Sequence, residues 1–248
     1  MSEPTGDYPT HDVVHRIDSC VLRTSTSQWR FARDASAEIE TAWQRARIGN
    51  PKYFNGTVFL VDRLSLAAGS LEATLLRSDF KSYLYWRQLG YPHRGVRDGF
   101  GSALIRAADG AYLLGRQRAG NINAGLSYLP GGFIDDRDVA EDGGIDIAAS
   151  IARELYEETG LDAPDVIALP GFLVTETAAQ LSIAKTFQSP LDSRALKARI
   201  EQHFAGDAHS ELDGMVIVAR TSDLDGLPMP DYARVLLQNL LSDAPASA

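Results

Sequence analysis

Glu154, Glu157 and Glu158 stand in the run RELYEETGL, residues 153–161. Placed on a helix at about 100° per residue, they share one face within an arc of about 100°. Ile151, Leu155, Ala148 and Ala152 fall on the neighbouring side, where a core is expected. Three carboxylates on one face repel one another unless a cation lies among them. A solvated helix face is the plain alternative, but Arg153 reaches only Glu157 at i,i+4. Glu154 and Glu158 then have no local partner. A hard divalent cation held by oxygen ligands resolves the repulsion, and Mg²⁺, with Mn²⁺ as the alternative, suits a phosphate substrate. Upstream, Pro130-Gly131-Gly132 follows a strand-like run. Paired glycines let the backbone approach a metal or phosphate with no Cβ in the way.

The elements that must hold these groups are legible in outline. A strand is expected over 13–23. A helix over 34–51, with Asp34 or Ser36 as its cap, is stopped by Gly49 and Pro51. Strands at 56–66 and 70–80 flank the Ala-Ala-Gly turn at 67–69, and a short helix over 81–90 follows. The Gly-, Pro- and charge-rich stretch 90–99 reads as a boundary. Beyond it come a hairpin around Ala-Asp-Gly at 108–110, a strand at 126–130 and a helix over 145–159. Strands at 166–175, 181–187 and 214–219 and helices at 191–204 and 230–241 complete the chain. The units expected are a tail 1–12, an α+β unit 13–95, a second domain 96–242 and a tail 243–248, both tails disordered.

Bulk properties exclude several functions. With 248 residues, the chain can bury a sizeable core. A net charge of −9 argues against a general nucleic-acid binder, which needs clustered Lys and Arg. Cys20, the single cysteine, allows no internal disulfide and reads as a small core residue. No apolar run approaches the roughly 20 residues of a membrane span. The polar, acidic start MSEPTGDYPTHD is unlike a signal peptide, so a cytoplasmic location is expected.

Residues 153–161 and the Pro130-Gly131-Gly132 turn together resemble the Nudix box. The resemblance implies an α+β fold, the Nudix α/β/α sandwich with a mixed sheet, here carrying an N-terminal α+β extension. Between Gly132 and Arg153 this chain has 20 residues where the family pattern has 13. An insertion after Asp138 reconciles the two ends. The pattern's first glutamate is missing, with Asp138, Glu141 or Asp146 as its replacement and Asp138 the best placed. Around AWQRARIGNPKYFNGTVFLV and LLRSDFKSYLYWR, the Asn50-Pro51, Phe54-Asn55-Gly56 and Asp79-Phe80 positions resemble the UDP-glucose and UDP-galactose pyrophosphatase branch, whose box loop is also lengthened.

Similarity to Nudix hydrolases implies cleavage of a nucleoside diphosphate linked to another group. UDP-sugar plus water would give UMP and a sugar 1-phosphate. ADP-ribose or another dinucleotide is the rival substrate, and a non-catalytic nucleotide sensor or scaffold is the rival class. The resemblance makes Glu154, Glu157 and Glu158 the metal ligands, with the Gly131 carbonyl as a further oxygen and Arg153 orienting the carboxylates. Glu176 and Glu211 are the later acids that a general base would come from. Arg116 and Arg118 are candidate phosphate contacts, though strand-edge charges explain them equally well. Gly132 is a further candidate substrate contact, and Tyr128 is the aromatic to watch near a uracil or sugar. Trp43 and Trp86 read as core, and the five histidines show no metal spacing. The partners expected are a small nucleotide substrate, neither nucleic acid nor membrane, and a homodimer on family likeness alone.

Overall fold

The computed structural model describes residues 9, 11–92, 94–207 and 210–242. The expected tails therefore lie almost entirely outside the described residues. Among the described residues, twelve strands and six α-helices follow in order: β1 (Val13–Ile17), β2 (Ser19–Ser25), α1 (Arg30–Asp34), α2 (Ser36–Gly49), β3 (Thr57–Ala67), β4 (Ser70–Asp79), α3 (Phe80–Gln88), β5 (Asp98–Arg106), β6 (Tyr112–Gln117), β7 (Ser127–Tyr128), β8 (Gly144–Ile145), α4 (Ile147–Thr159), β9 (Ile167–Ala168), β10 (Phe172–Glu176), β11 (Gln180–Gln188), α5 (Ser193–Phe204), β12 (Leu212–Val218) and α6 (Asp231–Ser242).

The larger, mixed sheet runs β1-β10-β11-β5-β6-β12, with β7 on β6 and β9 on β11. Within it β11 and β5 pair in parallel, and the other pairings are antiparallel. Period-2 alternation sends its side chains into two cores. Ala103, Ile105 and Leu113 join Ile147, Ile151 and Leu155 of α4 and Leu196 and Ile200 of α5. Leu104, Tyr112 and Leu114 join Tyr232, Ala233, Leu236 and Leu237 of α6 on the opposite face. The result is helices on both faces of a mixed sheet, the α+β sandwich expected.

A second sheet, β3-β4-β2-β8, lies against the α4 side, where Phe59, Val61, Leu71, Ala73 and Leu75 enter the same core. The two sheets exchange strands across the 90–99 stretch. β1 pairs with β10 in the larger sheet, and β8, from the long box loop, pairs with β2 in the smaller one. The single strand expected over 13–23 is therefore two. Asp18 breaks it, donating its N–H to Gly69 O at 2.7 Å. Apolar content alone cannot show a strand changing sheets.

Two local expectations also change. Neither Asp34 nor Ser36 caps α2: the N-cap is Ala35, with no side-chain cap bond. Asp34 instead closes α1, its carboxylate taken by Arg30 at 3.1 Å and Arg33 at 3.0 Å. On α4, Ala152 is exposed, while Ser150 and Thr159 fill positions on the buried stripe. Trp43 and Trp86 are core, and Trp86 is wholly buried. Burial pushes the Cys20 thiol up to about 12.

Candidate active site

α4 presents its three glutamates at three depths. The buried stripe Ile147, Ile151, Leu155 continues into Glu158, three residues on, which is 4% exposed. The Glu154 side chain is 14% exposed and that of Glu157 48%. Asp146 caps the helix, accepting from Ala149 N–H at 3.0 Å, and Gly160 ends it at φ 67°. Only a residue tolerating left-handed φ closes a helix that way.

Opposite α4, the chain leaves β7 through Pro130-Gly131-Gly132. A Cβ on Gly131 would stand 2.2 Å from Gly101 O, and one on Gly132 2.6 Å from Glu154 Oε2. Gly132 is thus the residue that lets Glu154 lie against the backbone. Gly132→Ala should displace that carboxylate and lower kcat by about 10²-fold, the cost of misplacing a reacting group by roughly an ångström. Steady-state kinetics beside a Tm measurement checks this. An unchanged kcat would show that Glu154 does not work from this position.

The carboxylates crowd each other. Glu158 Oε1 accepts from Tyr128 OH at 3.0 Å. Glu158 Oε2 is buried without a hydrogen-bond partner. Burial, then the Glu211 charge, holds the Glu158 carboxyl well above the usual range. Burial and then Glu157 raise both Glu154 and Glu211. Glu211 therefore belongs to this cluster and lines the same cleft as Glu154.

Arg153 departs from its expected pairing with Glu157 alone. Its Nη1 binds Asp138 Oδ1 at 2.7 Å, Nη2 lies 3.4 Å from Glu154, and Nε lies 3.9 Å from Glu157. Long-range closure of the box loop, invisible to helix spacing, brings Asp138 there. Asp138 also accepts from Asp135 N–H at 3.0 Å, so it pins both the loop and the arginine. Glu141 is exposed in the turn, and Asp146 is spent as the cap. The extra residues form a small hairpin. Val139 bridges Ile145, and Ala140 N–H donates to Gly144 O at 2.8 Å, while β8 docks on β2.

Arg137, which sequence reasoning missed, sits between the helix and the loop. It lies 3.7 Å from both Glu154 and Glu157 and 2.8 Å from Asp135. The N-terminal sheet steadies its loop, since Asp136 accepts from Arg77 at 2.7 Å and Thr57 at 2.6 Å. Nothing in the spacing of RELYEE points to an arginine in the box loop.

A cleft of about 590 Å³ opens over these groups, lined by Glu154, Glu211, Arg137, Gly131 and Gly132 from the box side. Asn50, Phe54, Gly56 and Phe80 line it from the N-terminal half. That half also ties down the facing loop, through Asn50 to Gly120 O and through Arg87 to Asn123 Oδ1 at 2.8 Å. Asn55 and Asp79 do local work: Asn55 accepts from Lys81 N–H, and Asp79 caps α3.

Over residues 96–194 the chain matches a family model described as the NUDIX domain. That stretch is similar to the Nudix domain. Together with the carboxylate set this similarity supports a hydrolase. No curated protein sequence matches the chain. Among solved structures it is similar to the MutT protein from Methanosarcina mazei Go1, at 22% identity and TM-score 0.36, covering 58% of this chain and 92% of that one. It is also similar to a Nudix hydrolase from M. smegmatis, at 15% identity and TM-score 0.39, covering 61% and 90%. A third is a bifunctional NMN adenylyltransferase/ADP ribose pyrophosphatase from Francisella tularensis complexed with AMP and a Mn ion, at 18% identity and TM-score 0.40, covering 64% and 46%.

The other expected residues are placed as follows around the cleft. Tyr128 lines the cleft but is 3% exposed, with its hydroxyl between Glu158 and Gln117, so it supports a glutamate. Arg116 turns outward to Asp213 at 2.6 Å, and Arg118 Nη2 donates to Leu212 O at 3.0 Å. Neither lines the cleft. Glu176 is a buried acid paired with Arg97 and with His15 at 2.9 Å, well engaged and outside the cleft lining. Glu176→Gln should lower stability by about 1–3 kcal/mol, as breaking a buried charged hydrogen bond does. Urea melts check this, and a larger loss in kcat of the folded protein than in stability would return Glu176 to the base role.

Among the described residues, no three or more His, Cys, Asp or Glu close into a ready-made metal cage. The donor chemistry nevertheless fits a hard cation. Every candidate ligand is an oxygen, the charged forms of Glu154, Glu158 and Glu211 are disfavoured by burial and by like charge, and Glu158 Oε2 lacks any partner.

Proposed function

We propose that the protein is a Mg²⁺-dependent cytoplasmic pyrophosphohydrolase acting on a nucleoside diphosphate linked to a second group, a UDP-sugar first among them. One observation carries the reading: Glu154, Glu157 and Glu158 share one helix face, Glu154 lies against Gly132 and lines the cleft, and a buried oxygen of Glu158 has no hydrogen-bond partner. Glu154, Glu157 and Glu158, with Gly131 O, would hold the cation. Mg²⁺ bound there supplies positive charge against the polyanionic pyrophosphate.

The chain's own groups carry the remaining work. Arg137 and Arg153 keep the carboxylates apart and oriented. Burial and the neighbouring Glu157 raise the Glu211 carboxyl, which makes Glu211 the better acceptor for a proton from the attacking water. Cleavage of the phosphoanhydride then releases UMP and a sugar 1-phosphate. The UDP-sugar reading is supported by Asn50, Phe54 and Phe80 on the cleft wall and by the lengthened box loop docked on β2.

The test offers UDP-glucose, UDP-galactose and ADP-ribose with Mg²⁺ and follows phosphate monoesters as products. A UDP-sugar should lead the panel. Faster ADP-ribose cleavage would replace the substrate, and binding without turnover of any member would favour a nucleotide sensor.

A further inference from the structure

Away from the carboxylate helix, the same cleft ends in a second polar site. Asp98 opens β5 and is 2% exposed. Its Oδ2 accepts from Tyr83 OH at 2.9 Å and from Gln180 Nε2 at 3.2 Å. Its Oδ1 is buried with no hydrogen-bond partner. Tyr83 OH meets Tyr91 OH at 3.0 Å, and Phe133 stands edge-on to the Tyr83 ring at 4.7 Å. Asp98, Gln180, Tyr83, Tyr91 and Phe133 all line the cleft.

Leaving a carboxylate oxygen bare inside a protein is costly, and such groups are normally satisfied. Here the satisfied oxygen is the one facing Tyr83 and Gln180, while the bare one belongs to a residue on the cleft wall. Asp98 and Gly101 are three residues apart on β5, roughly 10 Å along the strand. Gly101 O is the atom packed against Gly131. A diphosphate seated at Gly131-Gly132 could therefore place its attached ring system near Asp98.

We propose that Asp98, held by Tyr83 and Gln180, is a specificity residue that accepts a hydrogen bond from the non-phosphate part of the substrate, a neutral polar ring bearing an O–H or N–H donor. Aromatic walls suit the ring, and a bare carboxylate oxygen suits the donor. Sugar hydroxyls and nucleobase N–H groups share that chemistry. The inference rests on the nucleoside-diphosphate reading above.

Asp98→Asn puts an amide where the substrate's donor should bind. KM for the best substrate should rise about 30-fold or more, by more than kcat falls, because two donors then face each other in a buried site. Analogues assign the source. If a sugar hydroxyl is read, the deoxy-sugar substrate at that position loses affinity for wild type and shows little further loss with Asp98→Asn. If a base is read, the N-methylated base behaves that way instead. An Asp98→Asn KM within threefold of wild type, with wild type active, overturns the proposal and leaves the hydrolase reading standing. If no substrate turns over, calorimetry with UMP, AMP, glucose 1-phosphate and ADP-ribose takes its place. Weakened binding of one of them by Asp98→Asn supports the subsite. No binding, or equal binding, overturns it.

Discussion

Glu157→Gln should reduce kcat for the best nucleoside diphosphate substrate by about 10³-fold, the several kcal/mol that charge stabilisation at a metal-assisted phosphoryl site supplies. Its Tm should stay within a few degrees of wild type, because this glutamate is the most exposed of the three. Its nearest cations, Arg137 at 3.7 Å and Arg153 at 3.9 Å, are loose surface pairs of little energetic weight. The contrast between a large kinetic loss and a small stability loss separates a working carboxylate from a structural one. Turnover equal to wild type, measured at saturating Mg²⁺, would remove Glu157 from the site and with it the main support for the hydrolase reading.

Asp98→Asn should raise stability in a pH-dependent way. Burial lifts the Asp98 carboxyl from an ordinary 3.8 to about 6, against hydrogen bonds from Gln180 and Tyr83 that lower it. A carboxyl raised on folding contributes its full stability below the unfolded value and loses it as pH rises through the folded one. Wild type should therefore weaken between about pH 4 and pH 6 by up to about 3 kcal/mol from this group alone, at 1.36 kcal/mol per pH unit. The asparagine variant carries no such charge. Its advantage should be absent at pH 3.5 and reach about 1–3 kcal/mol at pH 8, since the buried amide leaves its own donor poorly paired. Urea melts at the two pH values check this. A variant less stable than wild type at pH 8 would mean that the ionised carboxylate is satisfied by groups other than Tyr83 and Gln180. A stabilising change that raises KM is the pattern expected where a protein keeps a costly group for its ligand.

Much of the active half was legible from residue order. The Glu154, Glu157 and Glu158 face follows from helical spacing, and Gly160 marks the end of α4 because the backbone there turns left-handed. Asp138 was recoverable from the length of the box loop, since an insertion after it aligned both ends of the motif. Spacing within one element is a local property, and it survives folding unchanged.

Other roles were not legible because they depend on chain segments far apart in sequence. Arg153 finds Asp138 only when the loop closes, and Arg137 meets Glu154 and Glu157 only across it. Tyr128 looked like a candidate ring for a base, but burial turned its hydroxyl to Glu158. Glu176 and Glu211 are alike as isolated acids. One falls beside Arg97 and the other beside the glutamate helix, and nothing within three residues of either predicts that difference. Asp98 fell within the charge-rich 90–99 stretch read as a boundary, and its meaning depends on Tyr83 and Gln180 arriving from different elements. By itself the sequence determined which carboxylates share a face and where their helix stops, because 3.6-residue periodicity and glycine backbone freedom are local. The tertiary structure decided which acids are buried, which cations they meet and which half of the chain walls the cleft, because desolvation and ion pairing are set by neighbours that only folding supplies.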